Sequence, residues 1–429
     1  MTISYDAWLA IVGCLAAAAC AIPGTFLMLR RLSLMGDAIS HAVLPGLIIA
    51  YMISESRASF PMLVGAIGVG LFAAFATETL RRFAKVDESA SIGIVFTSMF
   101  AVGLLLISLY ADKVDLDPNC VLNGNLEIVP LDVLGSTNIP TAVLGLGVML
   151  IANAAIVALL FKEFRICSFD PALAATQGFR PAMMHYLLMT MTALTCVVAF
   201  EAVGSILVVA LLIVPAAAAH LLSDRLHTTL LLAVGIAIAC ALVGQFLATS
   251  VPGQFGLGSV SITGSTATVA GIALAATIVL SPKHGVIARA SRRRGLTRRI
   301  AREDLLANLV RHEEATPGVD QLINVLRPTS ALSRSGFRQA LGSLTRDGLA
   351  AITAGKVALT DAGRREALRV LRSHRLWETY LTDVANVAAD HTHAHAHRLE
   401  HIQALEGDVS RETRDPPLDP HRKPIPRGS

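Results

Sequence analysis

Nine apolar stretches, each near the length needed to cross a bilayer, dominate the first two thirds of this 429-residue chain. They fall at 8–29, 36–54, 60–80, 91–110, 138–161, 183–201, 203–221, 229–249 and 265–281. A helix of about 20 residues spans the hydrocarbon core, so these runs commit residues 1–283 to a helical bundle in lipid. The link between 183–201 and 203–221 is so short that eight spans is the rival count. The composition agrees: 16% of residues are charged, against roughly 25% in soluble domains. A soluble globular protein is excluded. The first run, 8–29, lacks a basic leader and a cleavage signal, and reads as a retained span.

Charge is divided as sharply as hydropathy. Residues 1–282 hold 11 Lys/Arg and 15 Asp/Glu, net −4, whereas 283–429 hold 25 and 17, net +8. A basic, water-facing tail long enough to be a domain follows the membrane body. The positive-inside rule assigns Arg30–Arg31, Arg81–Arg82–Lys85, Lys162, Arg165, Arg180, Arg225 and everything from Lys283 onward to the cytoplasm. The loops at 55–59, 112–137 and 250–263 then face outside. None of the six cysteines forms a CxxC pair or lies in the tail, so apolar packing is expected of them, not disulfides or thiolate metal sites.

Polar residues inside the body separate it from an inert bundle. Asp37, Glu78 and Glu201 lie in or beside apolar runs, where an unpaired carboxylate costs several kcal/mol. Pro45, Pro61 and Pro215 are expected to interrupt helices at a cavity. Asp37 and His41 stand four residues apart, on one helix face. Oxygen plus imidazole nitrogen suits a first-row divalent metal; a helix cap with a hydrogen-bonded histidine is the alternative. Glu201 belongs either to a metal path or to the turn between two spans. Between two spans lies Ser168–Phe169–Asp170–Pro171, where Asp170 or Ser168 can cap a short helix that accepts Pro171 in its first turn and ends at Gly178.

The strings Leu29–Arg30–Arg31–Leu32–Ser33–Leu34–Met35–Gly36–Asp37–Ala38–Ile39–Ser40–His41, then Ala42–Val43–Leu44–Pro45–Gly46, Ile92–Gly93–Ile94–Val95–Phe96 and Ser168–Phe169–Asp170–Pro171, with Val203–Gly204 through Pro215–Ala216, make the body resemble a known family. It is that of the permease subunits of bacterial ATP-binding-cassette importers for manganese, zinc and iron. The resemblance covers residues 8–283. It implies a bacterial inner-membrane pore built with a second permease subunit, two cytoplasmic ATPase subunits and an extracytoplasmic metal-binding protein. It also implies ATPase coupling through Phe169, Asp170, Pro171 and Gly178, and a transport path at Asp37, His41 and Glu201. No GxxxxGK[ST] phosphate loop occurs in the chain, so ATP hydrolysis is assigned to the partner subunits and no enzymatic activity to this one.

The tail opens on an arginine-rich run, Arg289 to Arg302, expected to meet anionic lipid as a juxtamembrane linker over 284–300. A helical pattern follows from Glu303 to His312, and 317–350 reads as two more helices. The second, 333–347, carries Arg334, Arg338 and Arg346 on its polar side and ends at Gly348. A small wing at 349–352 and 355–360, then a helix from Asp361, completes a winged helix-turn-helix over 301–372. Six of the thirteen histidines cluster between His374 and His401. His374 and Glu378 share a helix face, as do His397, Glu400 and His401. Facing helices with nitrogen and oxygen donors make a transition-metal site.

His374–Arg375–Leu376–Trp377–Glu378 and His397–Arg398–Leu399–Glu400–His401, with Thr345–Arg346–Asp347–Gly348–Leu349 and Leu359–Thr360–Asp361–Ala362–Gly363–Arg364, resemble the iron- and manganese-dependent repressors of the diphtheria-toxin-repressor type over 300–405. The resemblance implies one metal site from His374, Glu378 and His393, and another from His397, Glu400, His401 and Asp304. It implies a helical metal-binding and dimerisation region at 373–406, and operator DNA as a partner for Arg334, Arg338 and Arg346. Ala307, Ala394 and His395 depart from the ligands usual there. Low hydropathy and many prolines predict a disordered end over 407–429. The expected fold is an all-α polytopic membrane protein of eight to nine transmembrane helices, with a C-terminal cytoplasmic winged helix-turn-helix and helical metal-binding/dimerisation domain. The tail's output stays open between gating transport, repressing transcription and merely dimerising.

Overall fold

In the computed structural model the chain divides into two units, Met1–Ala288 and Arg289–Ser429. The structure describes residues 4–315, 322–323 and 332–426, except for 33, 43, 55–58, 111–125, 127–128, 130–131, 134–138, 256–259 and 402–405.

The first unit is helical throughout its described residues. Its helices are α1 (Tyr5–Leu29), α2 (Met35–Ala42), α3 (Leu44–Ser54), α4 (Ser59–Phe83), α5 (Glu88–Tyr110) and α6 (Thr141–Leu159). The short α7 (Phe161–Phe169) and α8 (Pro171–Thr176) follow, then α9 (Pro181–Val203), α10 (Ser205–Leu222), α11 (Leu226–Phe255) and α12 (Ile262–Leu280). Counting α2 and α3 as one crossing, nine spans among the described residues are long and apolar enough to traverse a membrane. The doubtful 183–221 stretch is two helices, parted at Gly204 with φ +80°, a left-handed conformation that only glycine takes without strain.

Helix α1 packs against α6, α9, α10 and α11. Its run Ala16–Ala21 is wholly buried, and these small side chains let neighbouring backbones approach. At Gly24 the approach is closest, since an added Cβ would lie 2.0 Å from the Leu212 carbonyl oxygen of α10. Gly46 of α3 and Gly65 of α4 face each other in the same way, each 2.4 Å from the other's carbonyl oxygen by that measure, whereas Gly68 meets open space. Pro215 does not interrupt α10, contrary to the sequence expectation, and Pro45 and Pro61 sit in the first turns of α3 and α4.

Several buried polar groups in this unit are paired within or across helices. Asn153 of α6 donates to the Ala19 carbonyl of α1 (3.2 Å) and to Thr195 Oγ1 of α9 (2.8 Å). Glu78, whose side chain is 1% exposed, takes two hydrogen bonds from Arg81 (2.8 and 2.9 Å) and lies 3.3 Å from His185 Nε2. That pairing is what makes a carboxylate tolerable at such a depth.

The second unit begins within α13 (Val286–Ala315), so the arginine-rich run expected as a linker is helical. Most of the expected helix at 317–331 lies outside the described residues. Helix α14 (Arg334–Arg346) follows, capped by Ser333 Oγ, which accepts from Gly336 N at 3.1 Å. Strands β1 (Ala350–Thr353) and β2 (Lys356–Leu359) pair antiparallel with Ala350 opposite Leu359. Their two-residue turn, Ala354–Gly355, has positive φ at both positions, the hairpin geometry whose twist matches the strands. Helices α15 (Asp361–Asp383), α16 (Ala389–Leu399) and α17 (Glu406–Glu412) complete the unit.

Two apolar cores result. Leu305, Leu306 and Leu309 of α13 pack with Phe337, Leu341 and Leu344 of α14 and with Val357 of the wing. Leu376 and Trp377 of α15 pack with Ala396, Val409 and Ile425. The second core corrects the expectation of a disordered end: residues 406–426 are folded onto α15. Arg372 donates to the Pro426 carbonyl (2.7 Å), and Arg375 to the Pro424 carbonyl (2.5 Å) and Glu314 (2.6 Å). Composition missed this because two apolar side chains, Val409 and Ile425, two backbone carbonyls and the pairs Arg372–Asp415 and Arg375–Asp419 carry the attachment. Ending the chain after Leu405 should therefore destabilise the tail by about 3 kcal/mol or more, from two apolar side chains lost from its core and buried Arg372 left without its partners, while Arg375 keeps Glu314. Thermal unfolding of the truncated protein measures it, and an unchanged midpoint would refute the attachment.

Candidate metal centre

In the first unit the sequence singled out α2, where Asp37 is half-buried in the first turn. His41 follows one turn later on the same helix, and its side chain lies outside the described residues. Glu201 is exposed in the last turn of α9, three residues before the Gly204 break. At 168–178 the local chemistry is as the residues suggested. Asp170 caps α8, its Oδ1 accepting from Leu173 N at 2.9 Å, with Pro171 in the first turn. Gly178 ends the segment at φ +86°, and Phe169 beside it is 62% exposed.

In the second unit the histidines converge on two clusters. The first joins His374 and Glu378 of α15 to His393 of α16. His374 Nε2, Glu378 Oε1 and His393 Nδ1 form a triangle with edges of 3.1, 2.9 and 3.1 Å. Ligands at about 2.1 Å from an octahedral ion lie about 3.0 Å apart when adjacent, so this triangle has the size of one octahedral face. His374 and Glu378 are buried while His393 is open to solvent, its side chain 65% exposed.

The second cluster joins Asp304 of α13 to His397, Glu400 and His401. His397 Nδ1 lies 2.8 Å from Glu400 Oε1, and His401 Nε2 lies 3.2 Å from Asp304 Oδ1 and 3.7 Å from Glu400 Oε1. Asp304 Oδ1 is buried without an aligned hydrogen-bond donor, an orphaned oxygen that a cation would satisfy. Glu400 serves both clusters, because its other oxygen, Oε2, sits 2.5 Å from His374 Nδ1 and 3.6 Å from Arg311. Both donor sets mix imidazole nitrogen with carboxylate oxygen, which fits a first-row divalent ion.

Comparison with known proteins bears on both units. Residues 4–280 match the ABC 3 transport family. The chain belongs to the ABC 3 transport family. Residues 360–427 match the iron dependent repressor, metal binding and dimerisation domain, a stretch that takes in both α17 and the folded end. The manganese transport system membrane protein MntD of Bacillus subtilis (strain 168) is 40% identical over 289 residues, covering 67% of this chain and 95% of that protein. The zinc transport system membrane protein TroD of Treponema pallidum (strain Nichols) is 39% identical, covering 65% and 75%. The solved structure of PsaBC from Streptococcus pneumoniae in complex with Fab is 29% identical, with TM-score 0.55, covering 66% of this chain and 94% of that one.

What distinguishes this ABC 3 family chain from a bare permease is its tail, and there the structure adds a residue that the sequence reading missed. Glu303 Oε2 accepts from His401 Nδ1 at 2.7 Å, while Glu303 Oε1 accepts from Arg299 at 2.9 Å. A carboxylate on the far nitrogen fixes which imidazole nitrogen faces a metal. The signal was available: Glu303 precedes Asp304 directly and stands four residues after Arg299.

Burial pushes the His401 imidazole down, but Asp304 and Glu303 outweigh it, raising its pKa to about 9. Burial likewise works against the Glu378 and Glu400 carboxylates, yet the facing imidazoles, His374 above all, hold both at about 2. A raised histidine pKa stabilises the metal-free fold fully below its ordinary value of 6.5, and that contribution is lost as pH climbs through about 9. Lowered carboxylates stabilise it above 4.5, a contribution lost as pH falls toward 2. Metal must displace the His401 proton, so affinity should rise up to about tenfold per pH unit between pH 6 and 9. Calorimetric titration of the full-length protein at pH 6, 7 and 8 reads this slope; a flat profile would exclude His401 as a ligand.

Proposed function

We propose that the chain is the membrane permease subunit of an ATP-driven importer for a divalent transition metal, fused to a metal sensor. The observation that carries this reading is the pairing, in one chain, of an ABC 3 family body with two convergent imidazole–carboxylate clusters. The cargo is manganese, iron or zinc, which the names of the relatives support. It passes a pore formed with a second permease subunit, same or paralogous, after delivery by an extracytoplasmic binding protein. Asp37 and His41, with Glu201 nearer the outer end, give transient contacts weak enough to release the ion. Partner ATPase subunits act through Phe169, Asp170, Pro171 and Gly178. The tail lies in the cytoplasm.

There the clusters read the metal that has entered. Filled, they would tie α13 through Asp304 to α15 and α16. Uptake of manganese, zinc and iron by cells expressing the chain with its partner subunits tests the transport half. Accumulation of none of the three above the empty control would overturn it.

A second reading of the tail's output has an observation in its favour. Arg334, Arg338 and Arg346 are all exposed on α14, and Arg338 and Arg346 line a groove of about 430 Å³ with Arg298. That is the surface with which a winged helix enters a major groove. Metal-dependent retention of promoter DNA by the full-length protein, lost on charge reversal at these arginines, supports a repressor. Metal binding without retention leaves a sensor that gates transport.

A further inference from the structure

A cleft of about 550 Å³ lies in the first unit where α1 ends and α9 begins. Arg30, Arg31, Arg81 and His185 line it, with Ser168 and Phe169, and no carboxylate among the described residues does. Glu78 already neutralises Arg81, so the excess charge comes from Arg30 and Arg31. Arg30 is held in place, its Nε donating to Ser168 Oγ at 3.1 Å. Its Nη2 is buried there with no hydrogen-bond partner among the described residues. A guanidinium nitrogen withdrawn from water without an acceptor is a cost that a bound anion would offset.

Arg31 supplies an independent observation. It has φ +62°. The chain leaves α1 by bonds from Arg31 N to the Met28 carbonyl (3.0 Å) and from Leu32 N to the Leu27 carbonyl (2.8 Å), the left-handed helix ending in which glycine is strongly preferred. An arginine there strains the backbone, and the strain places a second positive charge beside the first. Strained residues of this kind mark functional sites. The walls are partly apolar, through Leu29, Leu32 and Pro181, and stand at the ends of two membrane-spanning helices, the level at which headgroups lie.

We propose that this cleft binds the phosphate of an anionic phospholipid headgroup, with Arg30 and Arg31 as its ligands and the apolar walls against the upper acyl chains. The proposal needs only that α1 and α9 span a membrane, and it stands or falls separately from the metal that is carried. The test is native mass spectrometry of the full-length, delipidated protein titrated with phosphatidylglycerol, phosphatidylcholine of the same acyl chains, or inorganic phosphate. Phosphatidylglycerol should bind at least about tenfold more tightly than phosphatidylcholine, and each of Arg30→Gln and Arg31→Gln should weaken it about fivefold. Arg31→Gly separates binding from folding: it relieves the backbone, so thermal stability is kept or raised, while lipid preference still falls. Equal binding of the two lipids, or an unchanged preference in Arg30→Gln/Arg31→Gln, would overturn the proposal. So would full displacement by millimolar phosphate, which assigns the cleft to a small free anion. Loss of ATPase-subunit binding in the double variant with phosphatidylglycerol retained would assign it to an acidic segment of that subunit instead.

Discussion

Cells carrying Asp37→Ala with His41→Ala should take up metal at least about a hundredfold more slowly than cells carrying the native chain. Both residues stand on one face of α2, an eight-residue helix that follows the left-handed turn at Arg31. Asp37 is half-buried, where a carboxylate attracts a cation more strongly than it would in bulk water. Losing two charged or strongly polar ligands at about 1.5 kcal/mol or more each removes about 3 kcal/mol, or roughly a hundredfold in rate. Asp37→Asn keeps the shape and removes the charge, so it should reproduce most of the defect if the charge is what matters. Glu201→Ala should do less, because that side chain is already exposed at the end of α9. Radiometal uptake at matched membrane protein levels is the measurement, and intact uptake in the double variant removes these residues from the transport path.

Glu400→Gln should weaken both metal clusters of the tail, and do so unequally. The carboxylate is wholly buried, with one oxygen among the donors of the second cluster and the other against His374 of the first. In the second cluster it would serve as a ligand, and its neutralisation should lower affinity more than about a hundredfold, given a ligand's charge-assisted bond. In the first it only orients His374, for which about tenfold is expected. The metal-free protein should also lose about 3 kcal/mol, since Arg311 and His374 Nδ1 would lose the buried Glu400 carboxylate, while His374 Nε2 keeps Glu378 at 3.1 Å. His393→Ala is the matching control: exposed at 65%, it should empty the first cluster, leave the second filled and hardly move stability. Calorimetric titration resolves two binding events in the native protein under this reading. Equal affinities in Glu400→Gln and native protein would remove Glu400 from both clusters.

The legible part of the fold was that governed by short-range rules. Spanning length depends on a contiguous run of residues, and the Asp170 cap with Pro171 behind it, the end at Gly178 and the helix starting beyond Thr360 depend on residues within a few positions of one another. The pairing of these side chains on one helix face was legible for the same reason, since i,i+3 and i,i+4 spacing puts His374 with Glu378 and His397 with Glu400 and His401. What spacing could not show was that α15 and α16 bring His374 and His393 within 3.1 Å. Nor could it show that Glu303, 98 positions from His401, orients that ring. The folded end at 406–426 was misread because composition averages over a segment, while its attachment rests on a few contacts to Arg372 and Arg375.

By itself, then, the sequence determined that this chain crosses a membrane many times, carries a basic tail with metal-binding residue types, and punctuates its helices where capping residues say so. Hydrophobic transfer and local hydrogen bonding act residue by residue, so a linear string is enough to read them. Tertiary structure alone decided that His374 meets His393, that His401 meets Glu303 and Asp304, that Glu400 is shared by two clusters, that His185 reaches Glu78, and that an Arg30 nitrogen is buried without a partner among the described residues. Electrostatic pairing in a low-dielectric interior depends on ångström distances between residues far apart in the chain, and those distances exist only once the helices have packed.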